Sequence, residues 1–381
     1  MDFALDETLT LVRDMARGYA EDEVLPRATA MDRAGAMDPL VLDKARELGL
    51  FGLTCPEAYG GAGMGNRALA IVLEEINRAC AATGVMLSVH NSLLCSPIAK
   101  WGTDEQKQRF LPELASGARI GSYCLTEPNA GSDAASLRVS ARLDGDHFVL
   151  NGTKIWVTNG GHAGLFLVYA RTDASTTRAK GVSALIVPRE LPGISIGKAE
   201  KKCGLRASST TEVVFENVRV PKENLLGPIH DGFPIAMDTL DGGRIGIAAQ
   251  AVGIARACLE AAVKYAKERE QFGKPIGEFQ AVQWKLADMS TRIDAARLLV
   301  MKAAWLRDRG ERCSREAAEA KLFASQTANF CADECLQIHG GAGYTDHFHV
   351  ERLFRDARIT EIYEGASDIQ RIVIARALQN G

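Results

Sequence analysis

The sequence has no Cys-x-x-Cys pair among its nine cysteines, no excess of charge of one sign, no long apolar run and no phosphate-binding glycine fingerprint. Each absence removes a class of protein. The cysteines are scattered and odd in number, which argues against a disulfide framework or a zinc site. Cys331 and Cys335, four apart in a helical pattern, read as two reduced core thiols. A formal net charge of −3 gives no bulk attraction to nucleic acid or to an anionic membrane, so an anionic ligand must be held by locally placed Arg or Lys. No run reaches the ~18 apolar residues of a membrane span. The opening twenty residues read as an amphipathic helix rather than a secretory signal. The expectation is a cytoplasmic protein with free thiols. The glycine-rich stretches at 60–65 and 340–343 lack G-x-G-x-x-G spacing between a strand and a helix, which argues against a Rossmann site. His347 and His349 have no third ligand at a metal-site spacing, and there is no Gly-x-Ser-x-Gly elbow or Walker lysine loop.

What is present is enough chain for two or three packed units, 381 residues at ordinary globular composition. Residues 1–120 read as helical. Asp38 caps a helix that Pro39 begins and Gly49 stops. Thr103 and Gln106 have capping-box spacing, with Pro112 expected to limit that helix to about two turns. An apolar-periodic stretch covers 66–94. Residues 121–227 favour β structure: 136–143 and 147–150 flank the hairpin signal Asp144-Gly145, and short strands follow at 156–158, 165–170, 182–187 and 212–215. That pattern predicts a small antiparallel barrel or sandwich. Residues 228–381 return to helical periodicity at 244–270, 278–309, 315–338 and 366–377, the makings of a four-helix bundle. There is no internal repeat.

Five segments carry the chemistry: TEPNAGSD at 126–133, WVTNG at 156–160, EREQFGKPIGEFQ at 268–280, QIHGGAGY at 337–344 and IYEGASDIQR at 362–371. In this order and spacing, over essentially the whole chain, they resemble the acyl-CoA dehydrogenase family. The resemblance implies that family's fold: a helical N-terminal domain, a central β-barrel or sandwich and a C-terminal four-helix bundle. It also implies FAD-dependent α,β-dehydrogenation of an acyl-CoA thioester to the trans-2-enoyl-CoA. Such a reaction removes a weakly acidic α-proton while an electron sink takes a hydride from Cβ. An ordinary carboxylate, with pKa ~4.3, is too weak a base for this, so the base must be lifted by burial. By resemblance the base is Glu364, with flavin N5 accepting the hydride, Tyr363 lining the acyl pocket and Gly365 letting backbone approach the thioester. Some branches of the family place the base just before the arginine of Asp241-Gly242-Gly243-Arg244. Here that position is Gly243, which cannot abstract a proton. The Glu364 N–H and a flavin ribityl hydroxyl would form the oxyanion site, such donors being worth ~3 kcal/mol or more each.

The remaining contacts carry over in the same way. Tyr123, Cys124, Leu125 and Thr126 would run along the flavin ring edge, the Thr126 hydroxyl near N5, with Glu127, Gly131 and Ser132 continuing that loop. Trp156 would pack on the ring, with Val157 and Thr158 extending the wall. Arg269 would pair with the pyrophosphate, beside Gln271 and Phe272. Gln280, Gln337, Ile338, His339, Gly340 and Gly341 would reach the adenosine half across a subunit boundary, implying a homo-oligomer, a tetramer built as a dimer of dimers. Ala366, Ser367 and Asp368 would complete the FAD site, although the family usually has Thr where Ala366 stands, so one hydroxyl contact is lost. Ser132 would meet the thioester–pantetheine region, and Asp241, Gly242, Gly243 and Arg244 the CoA moiety. Gln250 and Thr360 match the polar pocket floor of the short-chain, butyryl-type members; a polar floor disfavours long tails, which points to a C4 to C6 acyl group. Electron-transfer flavoprotein is the implied acceptor. A short branched-chain dehydrogenase, a small acyl-CoA oxidase and, from another class, a silent CoA- or flavin-binding scaffold are the competing readings.

Overall fold

The computed structural model describes residues 4–380. Leu9, Val12, Ala16 and Tyr19, spaced three or four apart, bury one face of α1 (Glu7–Tyr19), and Asp6 caps it by accepting the Leu9 N–H. The chain passes through one wide turn (Ala20–Val24) into α2 (Leu25–Ala34) and then α3 (Pro39–Glu47), capped by Asp38. The stretch expected to run on from residue 66 is broken. α4 (Asn66–Ala79) and α5 (Ala81–Ser88) meet at Cys80, which is extended at φ −154. A second wide-turn segment (Val89–Cys95) leads to α6 (Ser96–Trp101). α7 (Asp104–Ala115) opens with the expected capping box but does not stop near Pro112, which lies inside it. The proline forfeits one hydrogen bond at a solvent-facing turn, and burial of Phe110, Leu111, Leu114 and Ala115 outweighs that loss.

The central region is one sheet made of β1 (Ile120–Cys124), β2 (Ser140–Asp144), β3 (His147–Thr158), β4 (Ala163–Arg171), β5 (Val182–Pro188), β6 (Ile194–Ile196), β7 (Thr210–Pro221) and β8 (Leu225–Leu226). Their order is β6-β7-β3-β2-β4-β5-β8, with β1 also on β4. The Asp144-Gly145 hairpin forms between β2 and β3. Two pairings are parallel rather than antiparallel: β1 with β4, and β2 with β4 at Ser140 and Arg171. β1 enters directly from the helical domain and its successor loop leaves the sheet, so no hairpin fixes its direction. Register shifts between Leu150 and Gly152 and between Lys154 and Val157 break the alternation of β3, which is why its sequence reads as two short strands.

α8 (Gly232–Glu268) starts twelve residues before the helix expected at 244, because Pro234 and the Gly242-Gly243 pair interrupt the pattern. It is long and apolar enough to cross a membrane, yet 78% of its apolar window is buried within the fold, as for a core helix. The short strands β9 (Glu270–Gln271) and β10 (Lys274–Pro275) form a hairpin before α9 (Gln280–Asp308), α10 (Ser314–His339), α11 (Val350–Ile359) and α12 (Ser367–Asn380). One apolar core runs through the N- and C-terminal helices together, and the sheet keeps a core of its own. Glu74 and Glu75 of α4 lock the helices in register. Arg256 Nη1 reaches both carboxylates at 2.8 Å, Arg17 of α1 bonds Glu75 and Arg297 of α9 bonds Glu74. Because Glu75 is almost fully buried, this network ties four helices together rather than decorating a surface.

Candidate active site

Between α11 and α12 the chain turns through Glu364 (φ 54) and Gly365 (φ 90), both left-handed. Glycine adopts this freely, but a glutamate does so only where neighbours hold it. They do. The Gly365 carbonyl accepts from Lys321 Nζ at 2.8 Å and from Gln370 Nε2 at 2.7 Å, and Gln370 Nε2 also reaches the Glu364 carbonyl at 3.2 Å. The turn sends the Glu364 carboxyl back toward α8. Its Oε2 is sealed from solvent with no hydrogen-bond partner. A Cβ built on Gly243 would lie 2.2 Å from that oxygen, so only glycine fits beneath it. The carboxyl thus occupies the space beside the residue where other branches carry the base. Burial lifts its pKa to about 7, with the charges of Lys321 and Arg244 pulling the other way.

Around this carboxyl the charged groups of α8 are internally paired. Arg244 Nη1 bonds Asp241 Oδ1 at 2.6 Å, Asp241 Oδ2 accepts from Ser314 Oγ at 2.5 Å, and Arg244 Nε stays buried without a partner. Gly242 packs against the Arg307 guanidinium. Six residues beyond Arg244, Gln250 is fully buried and tethered at both ends: Nε2 donates to the Ala81 carbonyl at 3.0 Å and Oε1 accepts from the Tyr363 hydroxyl. Burial and the adjacent Glu364 push the Tyr363 phenol well above its ordinary range. Thr360 is buried too, but its hydroxyl is committed to the Ala357 carbonyl at 2.7 Å.

The sheet brings Tyr123 of β1 to face Glu364. Ser122 Oγ donates to the Thr158 carbonyl, and the Ile155 N–H donates to the Thr126 carbonyl at 2.9 Å, so 123–126 runs beside the end of β3. At the β3 bulge Trp156 sits at φ 56 with its indole turned outward, 59% exposed. Strained backbone that presents a large aromatic to the outside marks a binding surface rather than a core. Cys124, Leu125 and Val157 bury their side chains in the core, so only their backbone could serve a ligand. The Tyr123 ring lies 5.1 Å from that of Tyr169, and its hydroxyl reaches the Ala236 carbonyl at 3.4 Å. The Glu127 carboxylate is spent internally: it accepts the Arg138 and Val139 N–H groups and Lys154 Nζ, while Lys154 also donates to the Leu125 carbonyl at 2.8 Å. Gly131 and Ser132 lie exposed on the loop these bonds cinch.

The other predicted residues form an outer group. Arg269, Gln271, Phe272, Gln280, Gln337, Gly340 and Gly341 are all exposed, Phe272 at 95%. Tyr265 joins the two helix ends that carry them: its carbonyl accepts the Arg269 N–H and its ring stacks on His339 at 4.2 Å. Ile338 and His339 are buried, the His339 Nδ1 bonding the Cys335 carbonyl, so their side chains face inward. Ala366 and Ser367 are half-buried behind the Glu364 turn, and Asp368 is exposed and paired with Arg371. Among the described residues no group of three or more His, Cys, Asp or Glu could hold a metal.

These features fit FAD. A buried orphan carboxylate oxygen, an indole held outward on strained backbone and an exposed Arg269 with no carboxylate partner among the described residues match a planar ring and a pyrophosphate. Three supporting residues carry no role in the motif reading: Lys321 and Lys154, which lie outside every motif, and Gln370, which lies within the 362–371 segment. Two left a trace in the sequence. Lys321 falls on the apolar register of Ala317, Ala324 and Ala328, and Lys154 on the same even positions of the strand as the buried Phe148 and Leu150. A lysine at a core position has a partner.

Profiles of the acyl-CoA dehydrogenase N-terminal, middle and C-terminal domains match residues 6–118, 122–218 and 230–379. The chain is 49% identical to a short-chain specific acyl-CoA dehydrogenase of Clostridium acetobutylicum, over 98% of this chain and 99% of that one. It superposes on butyryl-CoA dehydrogenase of Megasphaera elsdenii with a TM-score of 0.98, 43% identity and full coverage of both chains. A chain in a structure described as the electron transferring flavoprotein of Acidaminococcus fermentans matches equally, with a TM-score of 0.98, 47% identity and full coverage of both. Motifs, fold and near-half identity along the whole chain agree: this protein belongs to the acyl-CoA dehydrogenase family of FAD-binding oxidoreductases.

Proposed function

We propose that this dehydrogenase acts on short-chain acyl-CoA thioesters of four to six acyl carbons, giving the trans-2-enoyl-CoA, with Glu364 as the base. The observation that carries the assignment is the sealed, unpartnered Oε2 of Glu364 lying over Gly243. FAD, when bound, supplies the acceptor for the β-hydride. The chain's own residues do the rest. Glu364, lifted to about 7, is basic enough to take an α-proton and still ionises near neutrality. Its backbone N–H is aimed by the left-handed turn, free to stabilise a thioester oxygen as charge develops there. Tyr363 walls the acyl pocket, and Gln250, fixed by Ala81 and Tyr363, closes its floor with polar atoms that a longer tail could not displace without leaving them unpaired. Thr126, Trp156 and Arg269 are the side chains offered to FAD, and Ser132 and the 241–244 segment those offered to the CoA portion.

The same reading divides the chain at 1–120, 121–227 and 228–381 and places it in the cytoplasm. It assembles the chain as a tetramer in which the exposed Arg269, Gln271, Phe272, Gln280, Gln337, Gly340 and Gly341 are completed by a neighbour, and it passes electrons to electron-transfer flavoprotein. The near-identity of fold with the Megasphaera protein and the sequence identity to the Clostridium one support the chain length, and the likeness to the Acidaminococcus structure supports the acceptor. Glu364→Gln is the test. The variant retains FAD and binds butyryl-CoA, yet anaerobic bleaching of the flavin band falls at least ~10³-fold; bleaching at the parental rate would mean that another residue is the base.

A further inference from the structure

We propose that Lys321 is a positioning residue for the base, its ammonium clamping the Gly365 carbonyl to fix the Glu364 turn and supplying the counter-charge against which Glu364 ionises. This rests on the reading of Glu364 as the base and adds a residue outside every motif that points to it.

Lys321 lies on α10 with none of its surface exposed. A buried ammonium is unfavourable unless its charge is answered, and a lysine that only filled space would be replaced by an apolar residue at no loss. Yet no carboxylate pairs with it within 4 Å among the described residues; its bond is to the Gly365 carbonyl. It therefore meets the catalytic turn at the peptide that follows the base, where Gln370 from α12 binds the same oxygen. Two donors on one carbonyl from two helices leave the left-handed Glu364–Gly365 pair no room to relax.

The charge has a single open answer. The groups facing Lys321 are Glu364 and Glu361 on the turn and Arg244 on α8. Glu361 is held by Arg358, and Arg244 is held by Asp241. From the remaining elements Tyr123 and Tyr363 face Glu364, phenols that are neutral near pH 7 and that burial pushes higher still. That leaves the Glu364 carboxylate, whose Oε2 is sealed from solvent, and the buried Lys321 ammonium as the two uncompensated charges facing one another. Burial lowers Lys321 to about 8 and raises Glu364 to about 7, so Lys321 is still charged when the base ionises. Without Lys321, only an Arg244 already committed to Asp241 opposes protonation of the base. Glu364 then stays protonated to higher pH.

The experiment compares Lys321→Met, Lys321→Gln and Lys321→Arg with Glu364→Gln as FAD-loaded proteins. Two readouts are taken against pH: anaerobic flavin reduction by butyryl-CoA, and the infrared carboxyl band of 13C-glutamate-labelled protein, assigned by its loss in Glu364→Gln. In the Met and Gln variants the KM for butyryl-CoA stays within about twofold, kcat at pH 7 drops roughly tenfold, and the acidic limb and the infrared midpoint move up together by about one pH unit. Lys321→Arg, which keeps the charge, restores the limb. If Met does not fold, the polar Gln variant decides. An unmoved limb and midpoint in a folded neutral variant, with Glu364→Gln inactive, overturn the role of Lys321 alone. Parental reduction by Glu364→Gln overturns the base assignment itself.

Discussion

At the scale of single residues, the site turns on a carboxyl and a missing methyl. A Cβ at position 243 would sit 2.2 Å from Glu364 Oε2 and 2.8 Å from Leu93, so Gly243→Ala must displace the base or α8. Misplacing a reacting group by about 1 Å can cost 10²-fold. The variant is expected to lose about that much kcat, while overpacking costs stability only on the order of 1–3 kcal/mol; stopped-flow reduction and a urea melt separate the two effects. The raised pKa of Glu364 has a pH signature of its own. Its ordinary value is 4.5 and its folded value about 7, so the unfolded chain ionises first as pH rises. The stability gained from holding it neutral is complete below about 4.5 and lost as pH rises through about 7. Activity runs the other way, rising through about 7 as the base ionises. Without ligand, Glu364→Gln should therefore melt above the parent at pH 8, by on the order of 1–3 kcal/mol, and match it near pH 4. Equal melting at both pH values would show that the side chain titrates normally.

At the scale of elements, a few buried polar bonds aim the loops. Lys154 on β3 and Glu127 on the loop after β1 form a fully buried pair that also holds the Leu125 carbonyl and the Arg138 and Val139 N–H groups. Removing one partner strands the other charge, so Lys154→Met should cost about 3–5 kcal/mol and loosen FAD. Cofactor loss on desalting and the urea midpoint measure both. Gln250 does a comparable task on α8. Gln250→Gly frees the Ala81 carbonyl and the Tyr363 hydroxyl and opens the floor, so relative kcat/KM should shift toward longer acyl chains by roughly tenfold per pair of methylenes accommodated. A flat profile across a panel of thioesters from C4 to C8 would refute the floor assignment.

At the scale of the whole molecule, one chain leaves much of its apolar surface uncovered. Phe272, Trp284, Trp305 and Leu298 are all exposed on the 269–308 stretch, next to an Arg269 without a carboxylate partner among the described residues. Light scattering is expected to report a tetramer. Arg269→Glu, which places an anion where the pyrophosphate would lie, is expected to lower FAD occupancy at least tenfold with the helices intact by circular dichroism. In air, reduction by butyryl-CoA without peroxide formation would separate a dehydrogenase from an oxidase.

The order of helix, sheet and helix, the capping box at Thr103 and the Asp144-Gly145 hairpin were legible in the sequence because each is a local pattern of period or turn chemistry. So were the motifs that bear Glu364, Trp156 and Arg269, since family chemistry fixes residue type and spacing. What escaped was non-local. The start of α8 hides behind glycines that are there for close approach, the length of β3 behind its bulges, and the passage of α7 through Pro112 behind the burial of its neighbours. Only the tertiary structure brings Lys321 to the Gly365 carbonyl and Gly243 beneath Glu364, because residues 43 and 121 positions from the base have no local signal. The sequence determined which carboxylate was available; the packing of α8, α10 and the turn decided that its inner oxygen would be sealed, unpaired and basic near pH 7.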